Sequence, residues 1–268
     1  MDQHKNKILG TLLAAFASRS VINTANRFIY PFAAVISRGL GVPLTDVTSV
    51  IALNQATALI GLFTSRFGDR TGYKPMMIVG LVIMVSGMIL AGCLPFYYSF
   101  VLAMFLSGLG KNLFDPAIQA YVGTRVSYKR RGFVVGVLEI SWSVATLVGI
   151  PLAGLIISRL GWQYPFWVLA GSGVICLGMV MLYIKDDSHK KTARTENAPF
   201  LLSMAELMKN PRAIGAMGFA FFVSFANDNL FVIYGAWLEK LFHFSVVDLG
   251  LGTAFIGVGE LCGSVGTA

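Results

Sequence analysis

Long apolar runs alternate with short polar hinges along the whole chain. The runs extend from Ile8 to about Ile36, Val47 to Thr64, Pro75 to Leu94, Ser99 to Val122, Gly132 to Ile157, Pro165 to Ile184, Ala213 to Leu238, and Val246 to the end. Each is near or above the ~20 residues that cross a bilayer core as a helix. The pattern therefore predicts eight membrane-spanning helices. Between the second and third runs lies a polar knot, Ser65-Arg66-Phe67-Gly68-Asp69-Arg70-Thr71-Gly72-Tyr73-Lys74, which reads as a tight basic loop. The long hydrophilic stretch is 185–212. In it Ser203-Met204-Ala205-Glu206 has capping-box spacing, and Asn210-Pro211 is expected to end the short surface helix so begun; a plain loop is the alternative.

Composition agrees with lipid as the solvent. Of 268 residues, 56% are hydrophobic and 13% charged, with a mean hydropathy of +0.71. Soluble domains carry about twice that charged fraction. Cys93, Cys176 and Cys262 all fall inside apolar runs, at spacings that suit neither a metal site nor a disulfide frame. His4, His189 and His243 are far apart, which argues against a membrane enzyme built on a histidine cluster. No P-loop is present to couple ATP, and no signal-peptide cleavage site follows the first run.

The net charge of +8 takes its meaning from where the basic residues lie. With the N-terminus inside, the inner segments hold Lys5, Lys7, Arg66, Arg70, Lys74, Arg125, Lys129, Arg130, Arg131, Lys185, Lys190, Lys191, Arg194, Lys209 and Arg212. The outer segments hold Arg38, Arg159 and Lys240. This asymmetry predicts a cytoplasmic N-terminus in a cell membrane and removes the charge as a sign of nucleic-acid binding. A faint repeat, Ser65-Arg66-Phe67-Gly68 and Ser158-Arg159-Leu160-Gly161, falls on opposite sides, as two inverted three-helix units would place it.

The knot resembles the loop between the second and third helices of the major facilitator superfamily. Asp69, Arg70, Gly72 and Lys74 match its pattern, while Ser65 replaces the leading glycine and Tyr73 stands where arginine is frequent. In that family the loop latches one conformation of the cytoplasmic gate, so the resemblance implies that role for Asp69 and Arg70. Gly149-Ile150-Pro151-Leu152-Ala153-Gly154 resembles a loose form of the family's glycine-proline motif in helix five, found mostly in antiporters. Met104 stands near the place of the family's helix-four arginine, whose function is therefore not carried over. The resemblance implies an all-α polytopic fold. Residues 1–184 would form a six-helix bundle of two inverted repeats, 185–212 a cytoplasmic linker, and 213–268 the first two helices of an incomplete second bundle. On this reading the chain ends within the eighth of twelve helices, and the whole protein is a monomer.

Ionised groups inside spans are costly and should face an aqueous cavity or one another. Arg19, Asn23, Asn26, Arg27 and Tyr30 share one helical face of the first span. Lys111, Asp115 and Gln119 follow i, i+4, i+8 in the fourth, with Asn112 beside them. Glu139, Ser143 and Thr146 follow the same rule in the fifth, next to Trp142. The seventh carries Ser224, Asn227, Asp228 and Asn229, and the eighth Glu260. At 1.5 Å per residue, Arg19 lies roughly 16 Å, and Asp115 and Glu139 roughly 10 Å, from the inner ends of their helices. Arg19 should be neutralised by Asp115 or Glu139, and Arg27, further out, by Asp228. Lys111 and Asp115 can also pair along their own helix, as a structural pair or as part of a substrate site. Glu139 is the candidate proton carrier, with a structural carboxylate as the alternative. Trp142 can stack on a substrate ring or simply pack. Asn227-Asp228-Asn229 binds substrate or breaks its helix.

Together these features predict a secondary transporter of a small solute, working by alternating access and driven by a proton gradient with no other cofactor. Efflux by proton antiport is the preferred direction and uptake by symport the alternative. A non-transporting scaffold or sensor would not need charged stripes.

Overall fold

The computed structural model describes residues 2–61, 71–125, 128–185 and 207–267. Among them, α1 comprises two segments, Asp2–Arg27 and Ile29–Leu40. It is followed by α2 (Leu44–Ala56), α3 (Tyr73–Cys93) and α4 (Tyr97–Arg125). In α5, Tyr128–Val144 and Ile150–Leu160 flank a π-helical turn, Ala145–Gly149. The rest are α6 (Tyr164–Tyr183), α7 (Pro211–Phe242) and α8 (Val246–Thr267). The eight apolar runs thus appear as helices in order. Among the described residues, five stretches are long and apolar enough to cross a membrane: α3, Val134–Leu160 of α5, α6, α7, and Val246–Gly263 of α8.

Two helices change course next to a proline, and a third carries a proline without a break. A helical proline lacks the N–H that would bond the carbonyl four residues back, and its ring collides with that carbonyl. Pro31 acts in this way on Arg27, and α1 breaks at Phe28. Pro151 acts on Leu147, and α5 widens into the π-turn just before it. Pro116 lies inside α4, which continues through it. Asn210-Pro211 follows the helical residue Leu207 and the turn at Met208 and Lys209, so a helix ends before it, as expected. The pair also opens α7: the Asn210 side chain accepts the Arg212 amide at 3.0 Å and Pro211 occupies the first turn. The proposed capping box, 203–206, lies outside the described residues.

The contacts of α1–α6 follow an internal two-fold pattern. α1 packs on α5 and α6, α4 packs on α2 and α3, and α3 and α6 pack on each other. Exchanging α1–α3 for α4–α6 leaves this list unchanged, as two inverted three-helix repeats require. The α3–α4 seam is close-packed through glycine. A Cβ on Gly80 would sit 2.7 Å from the Gly110 carbonyl oxygen, and one on Gly110 would sit 2.5 Å from that of Gly80. Small residues give such helices their backbone approach in lipid, where no hydrophobic force drives them together. The repeat also reaches the turns. Gly72 precedes α3 at φ 94°, ψ 154°, and Gly161 precedes α6 at φ 112°, ψ 165°, a region open to glycine and almost closed to other residues.

α7 and α8 scarcely touch each other. α7 lies along the second segment of α1, and α8 lies along α5. α8 follows α5 past the π-turn onto its Tyr128–Val144 segment, whereas the contacts of α7 concentrate toward the end of the bundle that bears Leu40, Leu160 and Phe242. There Gly235 of α7 lets the Pro31 backbone approach, with only 2.5 Å from an added Cβ to its carbonyl oxygen. The opposite half of α7, from Pro211 to Ala226, is mostly exposed, including Phe219, Phe221, Phe222 and Phe225.

Candidate functional site

Two clusters of ionised side chains lie within the span of the helices. The first is confined to α1, α4 and α5. Arg19 is 3% exposed; its Nε lies 3.4 Å from Asp115 Oδ1 and its Nη1 2.9 Å from Glu139 Oε1. Lys111 pairs with Asp115 along α4. The sequence left a choice between Asp115 and Glu139 as the partner of Arg19, and the structure shows both. Neither contact is aligned as a hydrogen bond: Arg19 Nε and Nη1 and Asp115 Oδ1 have no such partner. The cluster is therefore held by charge more than by hydrogen-bond geometry. Gln119, a turn further along α4, is exposed and does not join it.

The second cluster joins the first six helices to α8. Arg27 Nη1 donates to Glu260 Oε1 at 2.7 Å and to Thr146 Oγ1 at 2.8 Å. Thr146, on the π-turn of α5, also lies 2.9 Å from Glu260 Oε2. This corrects the expected pairing of Arg27 with Asp228. α8 brings Glu260 closer, and Asp228 instead accepts from Gln55 Nε2 at 3.1 Å. Gln55 in turn contacts the Tyr30 hydroxyl at 2.9 Å. Trp142 links the two clusters. The Arg27 guanidinium carbon and Lys111 Nζ each lie 4.4 Å from its ring centroid, and Arg27 also lies 4.9 Å from that of Phe231. Trp142 thus faces two cations as well as packing, and such contacts strengthen where water is excluded.

Other expected residues have structural partners. Asn26 does not stay with Arg27; its Oδ1 accepts from Asn54 Nδ2 at 3.1 Å, and Asn54 also donates to the Met104 carbonyl at 2.7 Å. Asn23 donates to Ser141 on α5 at 3.1 Å, and Ser143 is buried. Asn227-Asp228-Asn229 does not break its helix: α7 runs continuously through it, with Asn227 and Asp228 half-buried and Asn229 exposed. Reasoning from sequence passed over Asn54 and Gln55 on α2 and Thr57 just after it, which read as the interior of an apolar run. Gly108 was a signal for them, since it admits both Asn54 and Thr57 to the α4 backbone.

The loop and helix-five motifs are partly visible. Ser65, Asp69 and Arg70 lie outside the described residues. Gly72 holds the positive φ noted above, and Lys74 Nζ donates to the Met181 carbonyl at 2.8 Å, capping the end of α6. In α5, an added Cβ on Gly149 would lie 2.3 Å from Thr24 Oγ1, and one on Gly154 would lie 2.9 Å from Phe32 and 3.1 Å from the Val246 carbonyl oxygen. From the other side, a Cβ on Gly257 would lie 2.7 Å from the Leu147 amide, and one on Gly250 would lie 3.2 Å from Pro151 Cα. The glycine-proline motif is thus the surface on which α8 and α1 meet α5.

The sequence model of the Major Facilitator Superfamily matches residues 9–267. The chain belongs to this superfamily. Among curated superfamily proteins, it is 28% identical over 217 residues to the uncharacterized MFS-type transporter YwfA of Bacillus subtilis (strain 168), covering 79% of this chain and 53% of the relative. It is 28% identical over 158 residues to the multidrug resistance protein MdtH of Salmonella typhi, covering 58% of this chain and 37% of the relative. Among solved structures, a bacterial homologue of the human lysosomal transporter Spinster, in an inward-facing and unoccupied conformation, superposes with a TM-score of 0.73 at 14% identity. That superposition covers 93% of this chain and 60% of the neighbour, and it shows the shared superfamily fold. The chain spans about half the length of the first of these relatives.

Proposed function

We propose that this chain belongs to a secondary active transporter that exports a small solute in exchange for protons. The observation that carries the reading is the Arg27–Glu260 contact, deep within the helices and crossing from α1 to α8. Alternating access needs interactions that join the two halves in one state and release them in another. A carboxylate in such a contact lets a proton change its strength. The contacts of α7 with the first six helices gather at the Leu40–Phe242 end, and its Pro211–Ala226 half is mostly exposed. With the N-terminus cytoplasmic, as the basic residues favour, that arrangement is closed outside and open inside.

Efflux is supported by the partial similarity to a protein named for multidrug resistance and by the glycine-proline seam on α5. The substrate site is the region where Trp142, Phe231, Asp228 and Gln55 approach Arg27. It offers aromatic faces and both signs of charge to a small amphiphilic molecule. The location is the cell membrane, and the protein acts as a monomer. The test is flux of candidate solutes in liposomes that hold the whole transporter and bear an imposed pH gradient. Export predicts accumulation on the acidic side that collapses with a protonophore. Accumulation on the opposite side would establish uptake by symport, and flux indifferent to the gradient would remove proton coupling.

A further inference from the structure

Thr146 Oγ1 has three hydrogen-bond neighbours: Arg27 Nη1 at 2.8 Å, the Trp142 carbonyl oxygen at 3.0 Å and Glu260 Oε2 at 2.9 Å. The first is a donor. The other two are acceptors when Glu260 is ionised. A hydroxyl carries one proton and two lone pairs. It can donate to the carbonyl or to the carboxylate, but not to both. With Glu260 ionised, one contact within 3.0 Å must set two oxygens against each other with no proton between them. With a proton on Glu260 Oε2, every contact becomes a donor–acceptor pair. Glu260 donates to Thr146, Thr146 donates to the Trp142 carbonyl, and Arg27 donates to Thr146 and to Glu260 Oε1.

From this geometry we infer that Glu260, and not Glu139, is the proton-binding carboxylate of the transport cycle, with Thr146 as the residue that receives its proton in a hydrogen bond. The inference rests on the proton-coupled reading above and assigns its site. The step is a simple protonation. Water delivers a proton to Oε2, the O–H bond forms there, and the Arg27–Glu260 ion pair becomes a hydrogen bond from a cation to a neutral acid, which lacks the attraction between two opposite charges. The link from α1 to α8 weakens without any side chain having to move first. Loss of the proton restores it.

Glu139 lacks this environment. Its side chain is 41% exposed, and its Oε1 lies 2.9 Å from Arg19 Nη1. The other groups around Glu260 come from each element packed on α8. Arg27 and Tyr30 are on α1. Asp228 and Tyr234 lie on α7, within electrostatic reach of Arg27. Lys111 of α4 shares the Trp142 ring with Arg27. Asp228 has no cation within 4 Å among the described residues, so it is the carboxylate placed to hold the Arg27 charge when Glu260 is neutral.

The experiment is an infrared pH titration of the whole transporter in lipid, with the proton as the only ligand. Wild type should show a carboxylic-acid C=O band that grows as the pH falls. Glu260→Gln should abolish this band and Glu139→Gln should keep it. Thr146→Val should shift the band's frequency, because the acid loses its acceptor, and Thr146→Ser should return it to the wild-type position. The serine variant also guards against a general loss of fold. A band that persists in Glu260→Gln, or disappears in Glu139→Gln, would overturn the assignment while leaving proton coupling intact. No titrating band in wild type, together with flux indifferent to a pH gradient, would overturn the coupling reading itself.

Discussion

The two charge clusters have similar chemistry and opposite places in the architecture. Arg19, Lys111, Asp115 and Glu139 tie together three helices that belong to the first six. Arg27–Glu260 and Arg38–Glu239 instead reach from α1 across to α8 and α7. A contact inside one rigid unit keeps its partners through a rocking motion, whereas a contact between units must be made and broken. The first cluster is therefore expected to bear on stability and the second on the balance between conformations. Burial separates the outermost crossing from the rest: the Arg19 and Arg27 side chains are 3% and 14% exposed, and that of Arg38 is 60% exposed.

The largest test removes Arg19. In Arg19→Gln, Asp115 keeps Lys111, but Glu139 loses the guanidinium that lies 2.9 Å from its Oε1. Breaking a buried ion pair costs ~3–5 kcal/mol. The partial exposure of Glu139 puts this case toward the lower figure. Thermal unfolding of the purified transporter should show a marked drop in midpoint. Arg27→Gln should lose transport with a much smaller drop. Equal losses of stability in the two variants would erase the distinction between the clusters.

How far the sequence reveals this arrangement follows from the same division. Spans, their order and the pairing of Arg19 follow from hydropathy, depth and periodicity, which are properties of a helix and its near neighbours. Even so, apolarity alone picks out α3, α6 and most of α5, α7 and α8, not α1 and α4. Those two carry Arg19, Arg27, Lys111 and Asp115, so the chemistry lowers the signal that would locate it. A second signal was present in the prolines: Arg27, Asp115 and Thr146 each lie within five residues of Pro31, Pro116 or Pro151. The partner of Arg27 was not legible. Glu260 is 233 residues away, on a helix that meets α1 only through the docking of one half on the other. No periodicity within a helix encodes that docking.

An intermediate effect is expected at the α5–α8 seam. In Gly257→Leu, the new side chain begins 2.7 Å from the Leu147 backbone amide, which cannot swing aside. Overpacking costs ~1–3 kcal/mol, and here it falls only on the state in which α8 lies against α5. The variant should remain folded yet favour the opposite conformation, seen as a loss of disulfide cross-linking between cysteines placed at Arg38 and Glu239. Gly171→Leu on α6, where an added Cβ meets nothing within 4 Å, should leave that cross-link unchanged.

The smallest effect belongs to the outermost crossing. Arg38 Nη1 lies 2.7 Å from Glu239 Oε1, but Arg38 is mostly in solvent, and exposed pairs contribute ~0.2–1 kcal/mol. Fold stability should hardly change in Arg38→Glu. The conformational balance is more sensitive, because a difference of ~1 kcal/mol alters a two-state ratio about fivefold. Two like charges at the contact oppose closure, so Arg38→Glu should raise the rate at which an impermeant thiol reagent labels a cysteine placed at Tyr30, inward of the pair along α1. Glu239→Arg should do the same. The double charge reversal, Arg38→Glu with Glu239→Arg, should return labelling toward wild type, and high salt should shrink all three differences. If the double variant labels as fast as either single one, the pair does not hold the outer ends together, and closure there rests on backbone approaches such as Gly235–Pro31.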